Sequence, residues 1–199
     1  KPEDDLGQYF PEEGEARLLE MMRPGFRIGA RFLILHLGAY PPGERRLAVL
    51  GRIREIVRRT IPALAEHAAV LCLENNTSLY TPNAVGCSVF EWDVLFDGLD
   101  SPHVAMCLDT GHAHVNGCLP EITRVMKNRI RYIHLHDNDG VRDSHRAPGM
   151  GSIDWAAWYP MLAALPREPW VMFEYPRADG YAKAIADIRL AENGAGRAQ

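Results

Sequence analysis

The stretch Val104-Ala-Met-Cys-Leu-Asp-Thr-Gly-His-Ala-His114 places an apolar run directly before an aspartate and two histidines. The apolar part has the length and composition of a strand that is buried on both faces, as in a parallel sheet. Buried carboxylates and imidazoles are costly unless they are paired or bound to a metal. Asp109 and the histidines after it therefore predict polar partners at the C-terminal end of this strand.

Four other apolar runs of strand length have the same form, since each ends in a histidine or a glutamate. The five predicted strands are 32–36, 70–74, 104–109, 131–136 and 170–174. Helical patterns follow them at about 44–67, 88–98, 119–128, 154–165 and 180–193, and another precedes them at 13–22. This alternation of buried strands and helices predicts a parallel α/β sheet.

Two parallel architectures fit this alternation, an open doubly wound sheet and a closed (β/α)8 barrel. Ligands of an open sheet gather at a switch point, whereas in a barrel the C-terminal ends of many strands converge on one mouth. Five strands that all end in metal-type residues favour the (β/α)8 TIM barrel, and no glycine-rich phosphate loop follows any of them. Such a barrel needs about 250 residues. Either N-terminal strands are absent and the chain 1–199 is a single domain of the C-terminal five or so β/α units, or a partner chain or unusual packing covers an open edge of the sheet.

Composition limits the classes of partner. The net charge of -4 disfavours a nucleic-acid partner, which usually needs a basic face. The arginines at 45, 46, 52, 54, 58 and 59 fall among apolar residues, as on the exposed face of an amphipathic helix. The four cysteines lack the paired spacing of a zinc site and indicate reduced thiols in a cytoplasmic protein. No apolar run approaches the roughly 20 residues of a membrane span, so no membrane partner is expected.

Four residues at or next to the ends of different predicted strands are the predicted metal ligands. They are Glu74, Asp109, His134 and Glu174. Three carboxylates that converged without a cation would repel one another and raise one another's pKa values. Separate salt bridges or helix caps are the alternative. Mixed oxygen and nitrogen ligands suit Mn, Zn, Co or Fe better than Ca. The expected cofactor is one divalent metal (Mn, Zn, Co or Mg), with no organic cofactor.

A second group of polar residues is expected near these ligands. Its members are His36, His112, His136, Asp143, His145 and Arg146. Three of them lie in or beside the long loop 138–152, and long loops after barrel strands tend to be functional. Three roles stay open for this group: its residues orient the metal ligands, bind substrate hydroxyls or hold an additional metal. His136 shares a strand face with His134 and is an alternative ligand. Arg142 and Arg146 are the nearest candidates for a phosphate contact.

An ordered set of short motifs runs through the chain. They are His36-Leu-Gly, Leu73-Glu-Asn, Leu108-Asp-Thr-Gly-His112, His134-Leu-His-Asp137, Asp143-Ser-His145 with Pro148-Gly-Met-Gly151, and Phe173-Glu174. From about 32 to 176 the chain resembles the xylose isomerase-like (β/α)8 barrels, which include sugar isomerases and epimerases, inosose dehydratases and endonuclease IV. The resemblance implies that one metal is held by Glu74, Asp109, His134 and Glu174. It also implies three further strands ahead of the one at 32–36.

The resemblance leaves three functions open. The favoured one is a metal-dependent isomerase or epimerase of a sugar or sugar-like polyol, in which Glu74 and Glu174 move a proton through a metal-stabilised enediolate. A dehydratase of a cyclic polyol would use nearly the same residues. The second is an endonuclease IV-like zinc phosphodiesterase acting on abasic DNA, because His36, His112, Asp143 and His145 also match metal positions of that branch. The acidic net charge weighs against it.

The third function is a non-catalytic truncated barrel. The expected partner is a small-molecule sugar, and a homo-oligomer stays open.

Overall fold

The computed structural model describes residues 5–79, 81–175, 181–182, 184–186 and 188–189 of the chain. The chain divides into two compact units, Lys1–Met106 and Cys107–Gln199. The boundary falls inside the third strand, so the first unit contains the start of that strand and the second contains its end.

The first unit contains a 3-10 turn at Leu6–Gln8, three helices and two complete strands. In chain order they are α1 (Pro11–Arg27), β1 (Phe32–His36), α2 (Arg46–Glu66), β2 (Val70–Glu74) and α3 (Val89–Phe96), followed by the start of β3 (Val104–Asp109). β1 and β2 pair in parallel, with Phe32 opposite Val70 and His36 opposite Glu74. The parallel register brings the C-terminal ends of both strands to the same edge of the sheet.

Helix α2 is amphipathic, as predicted. Its buried side includes Val49, Ile53 and Ile56, each with no exposed area. The arginines on the opposite side of the helix form ion pairs with acidic residues. Arg58 and Arg59 contact Glu55, and Arg54 contacts Asp97. The basic run is therefore the solvated face of this helix.

The second unit contains the end of β3, and the elements that follow it in the described residues alternate between helices and two further strands. They are α4 (Thr110–Val115), α5 (Leu119–Val125), β4 (Ile130–Leu135), α6 (Trp155–Ala163) and β5 (Trp170–Phe173). β4 and β5 pair in parallel, with His134 opposite Met172. Helix α6 packs on α5, where the Trp158 indole donates a 3.0 Å hydrogen bond to the Thr123 hydroxyl. This packing covers the unit with an apolar layer.

The five predicted strands are confirmed, with small differences at their ends. β4 begins one residue earlier than expected, and His136 and Glu174 follow their strands directly. The helix predicted at 13–22 extends over Pro11–Arg27. After Asp109 the chain forms the short helix α4, whose first turn is capped because the Asp109 carboxylate accepts the amide of His112.

Three further expectations concern the last predicted helix, the cysteines and membrane spans. The helix predicted at 180–193 lies partly outside the described residues, and its described residues are helical. All four cysteines are described, and none forms a disulfide. None of the helices in the described part of the chain has the length and apolar character that crossing a membrane requires.

Candidate metal centre

In the first unit, β1 and β2 end at a paired histidine and glutamate. His36 Nε2 lies 3.2 Å from Glu74 Oε2. The Glu74 side chain is 4% exposed, whereas that of His36 is 52% exposed. This unit therefore presents a buried carboxylate and an accessible imidazole at the C-terminal ends of its parallel strands.

In the second unit, Asp109 ends β3 as a fully buried carboxylate. His136 Nε2 lies 3.0 Å from both of its oxygens, and Oδ1 also accepts the backbone N–H of His112 at 2.7 Å. Burial raises the pKa of the Asp109 carboxyl, but the hydrogen bond from His136 and the charge of His112 outweigh it, so that the pKa lies below its usual range. The neighbouring histidines thus hold Asp109 as a carboxylate.

The ends of β4 and β5 bring His134 and Glu174 together. His134 Nδ1 lies 3.3 Å from Glu174 Oε1. The His134 side chain is 7% exposed and that of Glu174 is 22% exposed. Of the two carboxylates at the strand ends of this unit, Glu174 is therefore more accessible to solvent or a small molecule than Asp109.

Three histidines surround Asp143, which comes from the loop after β4. Asp143 Oδ2 lies 3.3 Å from His112 Nε2 and 3.3 Å from His145 Nε2. His136 Nδ1 lies 3.7 Å from the other oxygen. The rings of His136 and His145 stack with centroids 4.0 Å apart. The loop thus places a carboxylate and an imidazole over the buried Asp109–His136 pair.

The same contacts shift two pKa values in opposite directions. Burial raises the pKa of the Asp143 carboxyl, but the hydrogen bonds from His112 and His145 outweigh it and hold the pKa well below its usual range. The hydrogen bond to Asp143 raises the pKa of His145 to about 9, against the opposing effect of burial. An ionised Asp143 and a protonated His145 form an ion pair in the protein without metal.

Two small residues that the sequence reasoning had given no role of their own make this packing possible. The Thr110 hydroxyl bonds to the backbone oxygen of His136 at 2.7 Å and to its backbone nitrogen at 3.0 Å, which fastens the end of β4 to α4. A Cβ atom at Gly111 would overlap the His136 ring. Both residues stand in the Asp-Thr-Gly-His motif, which is the signal that could have identified them.

The remaining polar candidate of this unit, Arg146, and the nearby His114 make local contacts. The Arg146 guanidinium lies 3.5 Å from Asp139 and 3.4 Å from the backbone oxygen of Met150, both in its own loop. His114 bonds to the Ser152 hydroxyl at 2.8 Å. Neither contact involves the carboxylates at the strand ends.

Two sets of side chains in the second unit have a geometry that can hold a metal ion. Asp109, His134 and Glu174 each offer one ligand atom, and these atoms lie within 4.8 Å of one another. His136, His145 and Glu174 form a second such set. Carboxylate oxygens with imidazole nitrogens fit Mn, Zn or Co, which agrees with the donor chemistry expected from the sequence. Glu74 belongs to the first unit, and its part in the same site stays a prediction.

Comparison with known proteins identifies the family of this chain. The family model described as xylose isomerase-like TIM barrel matches residues 11–192. The chain belongs to this family. A crystal structure described as that of a D-tagatose 3-epimerase-like protein superposes with a TM-score of 0.79 at 17% identity, over 97% of this chain and 74% of that chain. The TIM-barrel fold predicted from the sequence is thereby confirmed.

Curated relatives are more similar in sequence but longer. An uncharacterised protein, y4fM, of Sinorhizobium fredii is 26% identical over 155 residues, which are 75% of this chain and 48% of the relative. A probable endonuclease 4 of Mycoplasma mobile is 27% identical over 149 residues, 68% of this chain and 52% of the relative. The chain thus spans about half the length of these two relatives.

Proposed function

We propose that the protein is a divalent-metal-dependent isomerase or epimerase of a sugar or sugar-like polyol. The observation that carries the proposal is the convergence of Asp109, His134 and Glu174, whose ligand atoms lie within 4.8 Å of one another. Membership of the xylose isomerase-like family and the shared fold of a D-tagatose 3-epimerase-like protein support the same reaction class.

The residues divide into ligands and proton-transferring groups. Asp109 and His134 are the ligands without a further role, and Glu74 and Glu174 are both ligands and acid/base carboxylates. When bound, a divalent metal would polarise the substrate's carbonyl and the adjacent hydroxyl, which acidifies the C–H bond of the carbon that bears this hydroxyl.

Glu174 then takes that proton, since its carboxylate is the more exposed of the two glutamates and lies against His134. Glu74, the other carboxylate of the proposed acid/base pair, returns a proton to the substrate, to the same carbon in an epimerisation or to the neighbouring carbon in an isomerisation.

The loop residues have a different part in this proposal. Asp143 and His145 lie beside the strand ends and are joined at 3.3 Å, with His145 41% exposed. A carboxylate and an imidazole in this position can accept and donate hydrogen bonds to the hydroxyls of a polyol. They orient the substrate so that its C–H bond faces Glu174, which is the positioning that proton transfer needs.

The first experiment is elemental analysis of the purified protein together with a panel of ketoses. About one Mn, Co or Zn per chain and turnover on a ketose are expected. Glu174→Gln should lower kcat by about 10²- to 10⁴-fold, because it removes the proton acceptor. Glu20→Gln is the matched control, since Glu20 is an exposed residue that pairs only with Arg17 among its described ion pairs. A metal-loaded protein that turns over no ketose or polyol would contradict the proposal.

A second candidate function is an endonuclease IV-like phosphodiesterase acting on abasic DNA. It is favoured by the second donor set of His136, His145 and Glu174 and by the similarity to probable endonuclease 4 proteins. The arginines of α2 are paired with acidic residues, which weighs against the binding of a phosphate backbone on this face. Two or three zinc ions per chain, with cleavage of an abasic oligonucleotide, would favour the nuclease.

A further inference from the structure

Asp137 is a buried carboxylate that the proposed mechanism does not use. It lies directly after His136 and has no exposed area. Both of its oxygens accept hydrogen bonds from N–H groups, and the donors are the amides of Asn138 at 2.8 Å, Gly149 at 2.9 Å, Gly151 at 3.0 Å and Ile153 at 3.2 Å and the indole of Trp155 at 2.8 Å. A carboxylate offers about four lone-pair positions. Asp137 is therefore saturated by protein donors.

The backbone of Asp137 closes the loop 138–152 as well. Its N–H donates to the backbone oxygen of Arg146 at 2.7 Å and its C=O accepts the N–H of Arg146 at 2.8 Å. At the far end of the loop, a Cβ atom at Gly151 would overlap the Asp137 carboxylate and the backbone oxygen of Asn138, so only glycine permits this approach. Both halves of the loop are thus fastened to one residue.

The loop 138–152, held in this way by Asp137, positions His145 and Asp143 at the strand ends. His145 has a φ of 44°, a left-handed conformation that a residue other than glycine keeps only when its surroundings hold it. Its Nδ1 lies 2.7 Å from the backbone oxygen of Glu174. Asp143 lies 3.3 Å from His112. Through these contacts, the position of the loop determines how Glu174 and His112 are held.

We propose that Asp137 is a positioning residue of this site, acting through His145 on Glu174 and through Asp143 on His112. The proposal rests on the proposed function only where it treats Glu174 as a metal ligand. The contacts that join Asp137 to Glu174 are made by the protein alone, so they can be tested without metal.

The test compares Asp137→Asn with Asp139→Asn in the full chain. An asparagine keeps the shape of Asp137 but offers one acceptor oxygen and an NH2 group, so several N–H donors would face another N–H. Asp139 is the matched control because it is in the same loop and loses the same charge. It accepts the amides of Val141 and Arg142 and lies 3.5 Å from the Arg146 guanidinium, and these contacts all stay within its own loop.

The first measurement is amide hydrogen exchange of the metal-free variants. In Asp137→Asn, peptides spanning 143–153 and 170–175 should exchange at least about tenfold faster, while peptides from α2 stay unchanged. Asp139→Asn should exchange like the wild type. Faster exchange confined to 143–153, with 170–175 unchanged, would overturn the proposal, because Asp137 would then only close its own loop.

The second measurement is the Kd for Mn²⁺. Asp137→Asn should bind Mn²⁺ about 10- to 100-fold more weakly, as is typical when a residue that orients a ligand is lost. An unchanged Kd would overturn the positioning role. A wild type that binds none of Mn²⁺, Co²⁺ and Zn²⁺ would contradict the proposed function instead, and exchange at 170–175 would still decide the role of Asp137.

If Asp137→Asn does not fold, Trp155→Phe decides the question. It removes only the indole donor to Asp137 and keeps a large aromatic side chain in its place. The same two peptides should then exchange faster, by a smaller factor. Equal exchange in Trp155→Phe and the wild type would overturn the proposal.

Discussion

Two networks of charged residues in this protein use the same kinds of groups in opposite surroundings. On α2, Arg59 contacts Glu12, Glu15 and Glu55, whose side chains are between 30% and 73% exposed. At the end of β3, Asp109 and His136 pair with no exposed area on either side chain. Exposed ion pairs contribute little to stability, whereas removing one partner of a buried pair is strongly destabilising. Burial of several groups together therefore separates a candidate site from a solvated surface.

A third region shows that the burial of one carboxylate does not by itself identify a functional site. Glu91 is 5% exposed, yet it accepts the amides of Cys87 and Ser88 and the hydroxyl of Tyr40, and it caps α3. All of these partners are neutral donors. The Asp109 region differs because ionisable histidines and further carboxylates meet there, and such groups are costly to bury without a function.

The largest effect is expected for Asp109→Ala. This variant leaves His136 without its carboxylate partner and removes the cap of α4. The free energy of unfolding of the metal-free protein should fall by about 3–5 kcal/mol. Under the proposed function, metal content should also drop to a small fraction of that of the wild type. Urea unfolding and elemental analysis measure the two quantities.

Asp97→Ala is the control for this comparison. Asp97 is 81% exposed and pairs with Arg54 at 3.1 Å on the surface of the first unit. Its loss should change the free energy of unfolding by less than about 1 kcal/mol and leave metal content unchanged. A full metal complement in Asp109→Ala would remove Asp109 from the proposed ligands.

The sequence predicts the difference between the buried cluster at Asp109 and the exposed ion pairs of α2 only in part. Strand positions follow from short apolar runs, and the residues that end them are visible as motifs, because both are local patterns. The pairing of His136 with Asp109 and the role of Thr110 depend on contacts between residues that are 26 and 27 positions apart in the chain. The donors to Asp137 come from residues up to 18 positions away, so no local pattern reveals them.

Gly111→Ala should have the next largest effect. The added Cβ atom would overlap the His136 ring, which is buried and cannot move away freely. We expect a loss of about 1–3 kcal/mol, typical of overpacking, together with weaker metal binding. Gly51→Ala is the matched control on α2, where an added Cβ meets no atom within 4 Å. It should increase stability by up to about 1 kcal/mol, because alanine favours a helix. Equal changes in the free energy of unfolding for Gly111→Ala and Gly51→Ala would contradict the proposed difference between the buried histidine cluster and the exposed face of α2.

Tyr40→Phe tests the buried carboxylate that lacks histidine partners. Burial and the neighbouring Glu91 raise the pKa of Tyr40 well above its usual range, so the hydroxyl stays a donor. Removing it should cost about 1.5–3 kcal/mol, as for hydrogen bonds to charged groups. Metal content should stay at the wild-type value, which elemental analysis checks. A loss of metal in this variant would show that burial alone, rather than the histidine cluster, marks the site.

Glu55→Gln should have the smallest effect, since it removes the centre of the exposed network. The hydrogen bond from Arg58 lowers the pKa of Glu55 against the opposing effect of burial, and the hydrogen bond from Arg59 lowers it further. A lowered pKa in the folded state means that this residue stabilises the fold above its unfolded pKa and loses that contribution as the pH falls. The difference in unfolding free energy between the variant and the wild type should be below about 1 kcal/mol at neutral pH and low salt. It should shrink further in 1 M NaCl, where the Debye length is about 3 Å. A cost that high salt leaves unchanged would mean that the network acts as a buried one, and the contrast with Asp109 would then require an explanation other than solvent screening.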